Sequence, residues 1–190
     1  MRAIASSILT ALFISTAAAE EVQRLPDGTA VAFSPWVKFC KSVSTRSACF
    51  VGKDAKSVDG KALVAAVVVQ PYGEAEFLRL TFPVTVNRET GTRILFDGKT
   101  ANGQSVDFVS CKQTVGCMAD YTDSDVITKM RAARSMTLQA TDGDGGVLRY
   151  VFALTDFVKA YDGPESDPSL IERRSVTQQS LTAKSSGKSR

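Results

Sequence analysis

Histidine is absent from the 190-residue chain. That absence excludes Ser-His-Asp and Cys-His catalysis and any imidazole-ligated metal site. Acid–base chemistry would fall to carboxylates, lysine or tyrosine. No Cys-x-x-Cys occurs, so thiol–disulfide catalysis lacks its motif, and neither cysteine pair has the spacing of a zinc knuckle. Past the first residues no run is long enough to span a bilayer: Ala62 to Val69 is the longest apolar stretch, far short of the roughly 20 residues a spanning helix needs. Charge of one sign is also scarce. The formal net charge is +3 at pH 7, too small to imply nucleic acid or an anionic membrane as partner.

What is present suits one globular domain: 44% hydrophobic and 23% charged residues, enough for a single sizeable core. Residues 1–19 read as a signal peptide, with Arg2 as the basic start, Ile4 to Ile14 as the apolar run and Ala17-Ala18-Ala19 as the small-residue cleavage pattern. Cleavage between Ala19 and Glu20 is expected, followed by a lead-in over 20–32, a β domain over 33–162 and a disordered basic tail over 163–190.

Export makes disulfides the expected fate of the four cysteines. Three pairings are open. The spacing favours Cys40 with Cys49 and Cys111 with Cys117, because each closes a short loop, and such loops stabilise by about 2–3 kcal/mol in the chain-entropy model. Trp36, the lone tryptophan, stands four residues before Cys40 and is expected on the same strand face, in the core beside a buried disulfide.

Period-two patterns place a strand at Ala32–Cys40, with Pro35 at an edge or bulge, and the start of a returning strand at Cys49–Val51. Asp59-Gly60 then marks a turn. Ala62–Gln70 reads as a central strand covered on both faces. Phe77–Val86 puts Leu78, Leu80, Phe82, Val84 and Val86 on one face, with Pro83 arguing for an edge or bulge. Strands are expected at Thr92–Phe96, Ser105–Cys111 and Gly116–Tyr121, with turns at Asp97-Gly98 and Asn102-Gly103. The period then lengthens. Thr122 to Asp125 offer N-caps for a helix carrying Val126, Ile127, Met130 and Ala133. Met136–Ala140 and Val147–Phe152 form a hairpin around Thr141-Asp-Gly-Asp-Gly-Gly146, a loop that fails the calcium pattern because its bidentate-Glu position falls on Ala153. Thr155 can cap a last helix ending at Tyr161. The expected architecture is mainly β: a single antiparallel β-sandwich of roughly eight to ten strands with two short helices and two local disulfides.

The order of a signal peptide, Trp36-x-x-x-Cys40 and Cys49, a run of strands to Cys111 and Gly116-Cys117-Met-Ala, a short helix, a glycine-rich hairpin and Leu154-Thr-Asp-Phe157-x-x-Ala160-Tyr161 resembles the invasion-associated locus B family of Gram-negative envelope proteins, over about Phe33 to Tyr161. Relatives often carry glycine before the matching phenylalanine, where Asp156 stands here. The resemblance implies a secreted, disulfide-containing β domain linked in some pathogens to host-cell invasion, and supplies no catalytic residue. The chain is therefore expected to be an exported, non-enzymatic envelope protein, in the periplasm or on the outer surface, that binds a protein or envelope component and takes no cofactor or metal. The competing expectation is a periplasmic hydrolase of envelope polysaccharide using carboxylates such as Glu74, Glu76 and Glu89.

Overall fold

A computed structural model describes residues 22–167 apart from 27, 44–45, 58–61, 72 and 101–102. The signal segment with its Ala19–Glu20 junction, the Asp59-Gly60 turn, Asn102 and the tail from 168 onward lie outside the described residues. Two antiparallel sheets face each other. The large sheet runs β1 (Val22–Arg24), β2 (Ala30–Phe33), β4 (Arg46–Ser57), β5 (Ala62–Gln70), β6 (Phe77–Phe82), β10 (Gly116–Tyr121) and β9 (Ser110–Lys112), and β3 (Val37–Val43) also lies beside β4. The small sheet runs β12 (Val147–Ala153), β11 (Ser135–Thr141), β7 (Thr92–Phe96) and β8 (Gln104–Val106). Helices α1 (Val126–Ala132) and α2 (Phe157–Asp162) each follow a strand.

The core is the product of strand alternation. In β6, Leu78, Leu80 and Phe82 are buried while Phe77, Arg79 and Thr81 are half-buried. Val51 and Ala55 of β4 and Val64, Ala66 and Val68 of β5 join that inner face, and Ile94, Met136, Leu138, Tyr150 and Phe152 oppose it from the small sheet. Edge-to-face ring pairs cross the gap, Phe33 with Phe152 at 5.1 Å and Phe82 with Tyr150 at 6.4 Å, a geometry favoured by the ring quadrupoles.

Both local disulfides form, Cys40–Cys49 and Cys111–Cys117. In each case the two cysteines are directly opposite across an antiparallel pair, β3 with β4 and β9 with β10. Gly116, beside Cys117, has a φ of +103°, and a Cβ there would sit 2.2 Å from the carbonyl oxygen of Phe82. Only glycine lets β10 start this close to the end of β6.

Several expected boundaries move. The lead-in is part of the large sheet: β1 and β2 form a hairpin on β4, burying Leu25 and Val31. The strand expected from Ala32 to Cys40 breaks at Ser34-Pro35-Trp36 into β2 and β3, because Pro35 has no N–H to pair. Ser34 bridges the break, exchanging bonds with Asp54 through its N–H and its Oγ. Strand β4 starts before Cys49 and continues through Lys53, Asp54 and Lys56, residues polar enough to read as a turn; Lys53 is nonetheless buried, its ammonium 5.5 Å from the Phe33 ring centroid. Strand β6 ends at Phe82 in front of Pro83 and sits centrally between β5 and β10, not at an edge. The Ser105–Cys111 strand is two strands, because the chain crosses from β8 in the small sheet to β9 in the large one. Neither helix has a side-chain cap. The N-cap of α1 is Asp125, and that of α2 is Asp156 rather than Thr155. Asp156 has a φ of −100°, so no glycine is required there.

Two contacts differ more instructively. Trp36 is buried, but against Phe157 of α2 at 5.1 Å, with Nε1 donating to the carbonyl of Ala153. The Cys40–Cys49 disulfide is half-exposed rather than a core element. Residues 165–166, expected to be part of a disordered tail, are bonded to β3. Ser166 donates its N–H to Lys38 and accepts from the Lys38 N–H through Oγ, and the Glu165 carboxylate accepts from the Cys40 N–H, so 165–166 run along the free edge of β3.

A Gly116→Ala variant should unfold at markedly lower urea than Gly145→Ala. Both positions have positive φ, but nothing lies within 4 Å of a Cβ at Gly145. Left-handed strain alone costs about 1–2 kcal/mol; equal midpoints for the two variants would show that the Phe82 carbonyl can retreat.

Candidate functional site: an open apolar face on the large sheet

Strand β5 is apolar on both faces, yet only one is covered by the small sheet. Val64, Ala66 and Val68 face the core; Ala65, Val67 and Val69 face outward and are only partly buried. The expectation of a strand covered on both sides is corrected here: among the described residues, the outer side is shielded by side chains of adjoining strands and not by a second layer. The ladder aligns these neighbours. Phe39 of β3 pairs with Phe50 of β4, Phe50 with Val69 of β5, and Val69 with Phe77 of β6. Phe39 and Phe50 stack with centroids 4.9 Å apart, and Phe39 remains 51% exposed. In the next row Val37 is opposite Gly52, and Gly52 opposite Val67. A Cβ at Gly52 would approach Val67 Cγ2 to 3.1 Å, so glycine keeps the centre of this face low.

Charges bound the patch. Arg79 and Asp120, opposite each other on β6 and β10, form two 2.7 Å hydrogen bonds, and the guanidinium lies 5.2 Å from the Phe77 centroid. Asp54 and Lys56 pair at 3.1 Å along β4. Apolar area ringed by satisfied charges is the usual make-up of a protein-binding surface.

The titratable groups with displaced pKa values are held in hydrogen-bonded clusters. Tyr121 donates to Asp123 and Gln104, and Lys129 donates to Tyr121 and Asp123 while pairing with Asp125 at 2.7 Å. Asp123 therefore belongs to a tertiary cluster, not to a helix cap. The bond from Tyr121 chiefly holds the Asp123 carboxyl down at about 2, the Asp125 contact chiefly raises Lys129, and burial raises Tyr121. A second network joins α2 to the β5–β6 turn: Tyr161 donates to Glu76, which also accepts from Gln70, while Arg131 pairs with Asp162. Burial, then the bond to Glu76, raises Tyr161; hydrogen bonding raises Arg131 and lowers Asp162. Asp97 is lowered by the N–H groups of Arg134 and Ser135. Each of these shifts carries its group further from neutrality, the reverse of what a general acid or base requires.

The candidate carboxylates do not converge. Glu74 is exposed and Glu76 is engaged at the start of β6, whereas Glu89 follows its far end. A six-residue strand separates those ends by roughly 20 Å, too far for a glycosidase pair. Asp142 holds its hairpin by accepting from the N–H groups of Asp144 and Gly146. Among the described residues no three His, Cys, Asp or Glu side chains gather as a metal set. The depression at the end of α1, about 280 Å³ and lined by Phe96, Lys99, Lys129 and Ala133 among others, is smaller than most ligand pockets.

Because Asp123 is held below its ordinary 3.8 in the folded protein, its ionised form stabilises the fold above that value, and the contribution is lost as pH falls towards about 2. Asp123→Asn should flatten the fall in stability over that window in acid-unfolding curves; an unchanged curve would remove the cluster from the account of acid stability.

A comparison with curated protein sequences finds no match. The solved structure described as invasion associated protein b from Bartonella henselae superposes with a TM-score of 0.58 at 18% identity, covering 68% of this chain and 92% of that one, a likeness of fold. The family described as Invasion associated locus B (IalB) protein matches residues 36–165, a span running from Trp36 through both disulfides to the Glu165 contact on β3. The chain belongs to the invasion associated locus B family.

Proposed function

We propose that this is an exported envelope protein that binds a partner through the outer face of its large sheet and catalyses no reaction. The observation that carries the reading is the Phe39–Phe50–Val69–Phe77 row, an aromatic and aliphatic stripe across four neighbouring strands that no second layer of the described residues covers. A solvated antiparallel sheet normally turns polar residues outward, so this stripe is unexplained by folding alone. Aromatic anchors of this kind dominate binding energy where they are buried by a partner. The engaged carboxylates and the direction of the titration shifts favour binding over turnover. The family and the Bartonella protein's printed name favour a setting in the bacterial envelope connected with invasion.

Protease treatment of intact cells, compared with cells whose outer membrane has been opened, tests the location. Digestion on intact cells places the protein on the surface and makes host contact its role; protection until opening places it in the periplasm. Fractionation with the cytoplasm would overturn the export reading. Cross-linking in the same cells should give an adduct that Phe50→Asp abolishes while both disulfides still form. An adduct indifferent to Phe50→Asp would remove this face from the function.

A further inference from the structure

We propose that the edge of β3 away from β4 is a docking site for an extended acidic peptide segment of another polypeptide, and that residues 165–166 are its displaceable occupant. This edge is distinct from the outer face, because it presents backbone groups in the plane of the sheet. In an antiparallel ladder, alternate residues turn their backbone groups towards one neighbour. The bonds at Lys38 and Cys40 run away from β4. The Lys38 carbonyl accepts from the Ser166 N–H at 2.8 Å, the Lys38 N–H donates to Ser166 Oγ at 3.0 Å, and the Cys40 N–H donates to the Glu165 carboxylate. Phe39 and Lys41, at the intervening positions, turn theirs towards β4.

The occupant is a poor strand. Of these three bonds only one joins backbone to backbone; the others use the Ser166 hydroxyl and the Glu165 carboxylate. Pro164 and Pro168 flank the segment and have no N–H to donate, so ladder pairing cannot continue through them along the seven residues of β3. Glu165 and Asp167 are exposed, and exposed charges contribute little to holding a chain in place. Lys38 Nζ separately donates to the carbonyls of Tyr161 and Gly163, and Trp36 packs on Phe157, so α2 stays anchored when 165–166 lift off. The strap's advantage is its tether. A proline-free strand would set backbone donors and acceptors opposite Lys38 and Cys40, as in strand addition to a sheet edge. The chemistry of that strand is indicated by the segment already there. Strand β3 carries Lys38 and Lys41 and no acid, whereas 165–167 carries Glu165 and Asp167 and no cation. Charge complementarity therefore selects an acidic partner.

The test is site-resolved amide hydrogen exchange of the chain purified from cells that export it, with both disulfides intact. A variant carrying both Glu165→Ala and Ser166→Ala removes the two side-chain acceptors without touching the core. Its Lys38 and Cys40 amides should exchange about tenfold faster than in the parent chain, with Phe39 and Lys41 unchanged. The probe is a synthetic peptide of residues 163–170 carrying Pro164→Ala and Pro168→Ala. At millimolar concentration it should restore protection at Lys38 and Cys40, and the same peptide with Glu165→Lys and Asp167→Lys should not. On the parent chain an excess of the acidic peptide should speed exchange at Ser166, whose N–H loses the Lys38 carbonyl; this readout needs no variant. The proposal is overturned if the double variant keeps Lys38 and Cys40 as protected as before, if the acidic peptide alters neither chain, or if the lysine peptide protects equally. None of these readouts involves the Phe39–Phe50–Val69–Phe77 row, so the edge and the outer face stand or fall separately.

Discussion

The indole of Trp36 is the contact on which the arrangement of the two sheets turns. Pro35 cannot continue the ladder from β2 into β3, and the break rotates Trp36 inward. There its N–H reaches the carbonyl of Ala153 at the end of the small sheet, and its ring packs on Phe157 at the start of α2. One side chain thus joins the edge of the large sheet, the last strand of the small one and the closing helix. The neighbouring Lys38 completes the junction by donating to the carbonyls of Tyr161 and Gly163 at the C-terminus of α2, where a cation suits both the unpaired carbonyls and the helix dipole. The strap at 165–166 then covers the edge that β3 would otherwise offer to another strand. At the β12 edge of the small sheet Gln23 does the same, donating to the carbonyl of Arg149 and accepting from the N–H of Val151 with its side-chain amide.

The disulfides address a different weakness of the large sheet. Its edges include β3, which lies beside β4 off the main strand order, and β9, only three residues long. Each disulfide ties one of them to its neighbour at directly opposed positions. β3 and β9 are stapled to their neighbours, and the inner face of β5 packs against the small sheet.

Much of this was legible in residue order. Alternation in Phe77–Phe82, Met136–Ala140 and Val147–Phe152 specified strands with a buried face, and close spacing specified the cysteine pairs. Failures of reading came where two signals competed. Lys53, Asp54 and Lys56 look like a loop, but their alternation with Ala55 is that of a strand, with Lys53 buried and its ammonium over the Phe33 ring. Ser105 to Cys111 looks like one strand because a crossover between sheets leaves no local mark when the residues on both sides alternate. Trp36 and Cys40 have the spacing of one strand face, yet Pro35 ends the pairing just before Trp36, which is held by a helix more than a hundred residues away in sequence. No local pattern encodes such a contact.

The open apolar face was hidden for a deeper reason. A strand such as Ala62–Gln70, apolar at successive positions, has the composition of one buried on both sides, and burial by a second layer of the same chain cannot be told from burial by another molecule. Both remove the same side chains from water and select the same residues. The difference emerges only when the chain's own layers have been counted: the small sheet covers one side of β5, and the described residues supply nothing for the other. Phe39, Phe50 and Phe77 are then hydrophobic residues that the fold has aligned but not covered. Covering such a row with a complementary surface is favourable at about 25 cal/mol for each Å² of apolar area removed from water, before the entropic cost of association. The ladder and the two disulfides hold these strands in register, so the row stays aligned at the surface of the sheet and does not collapse into its core.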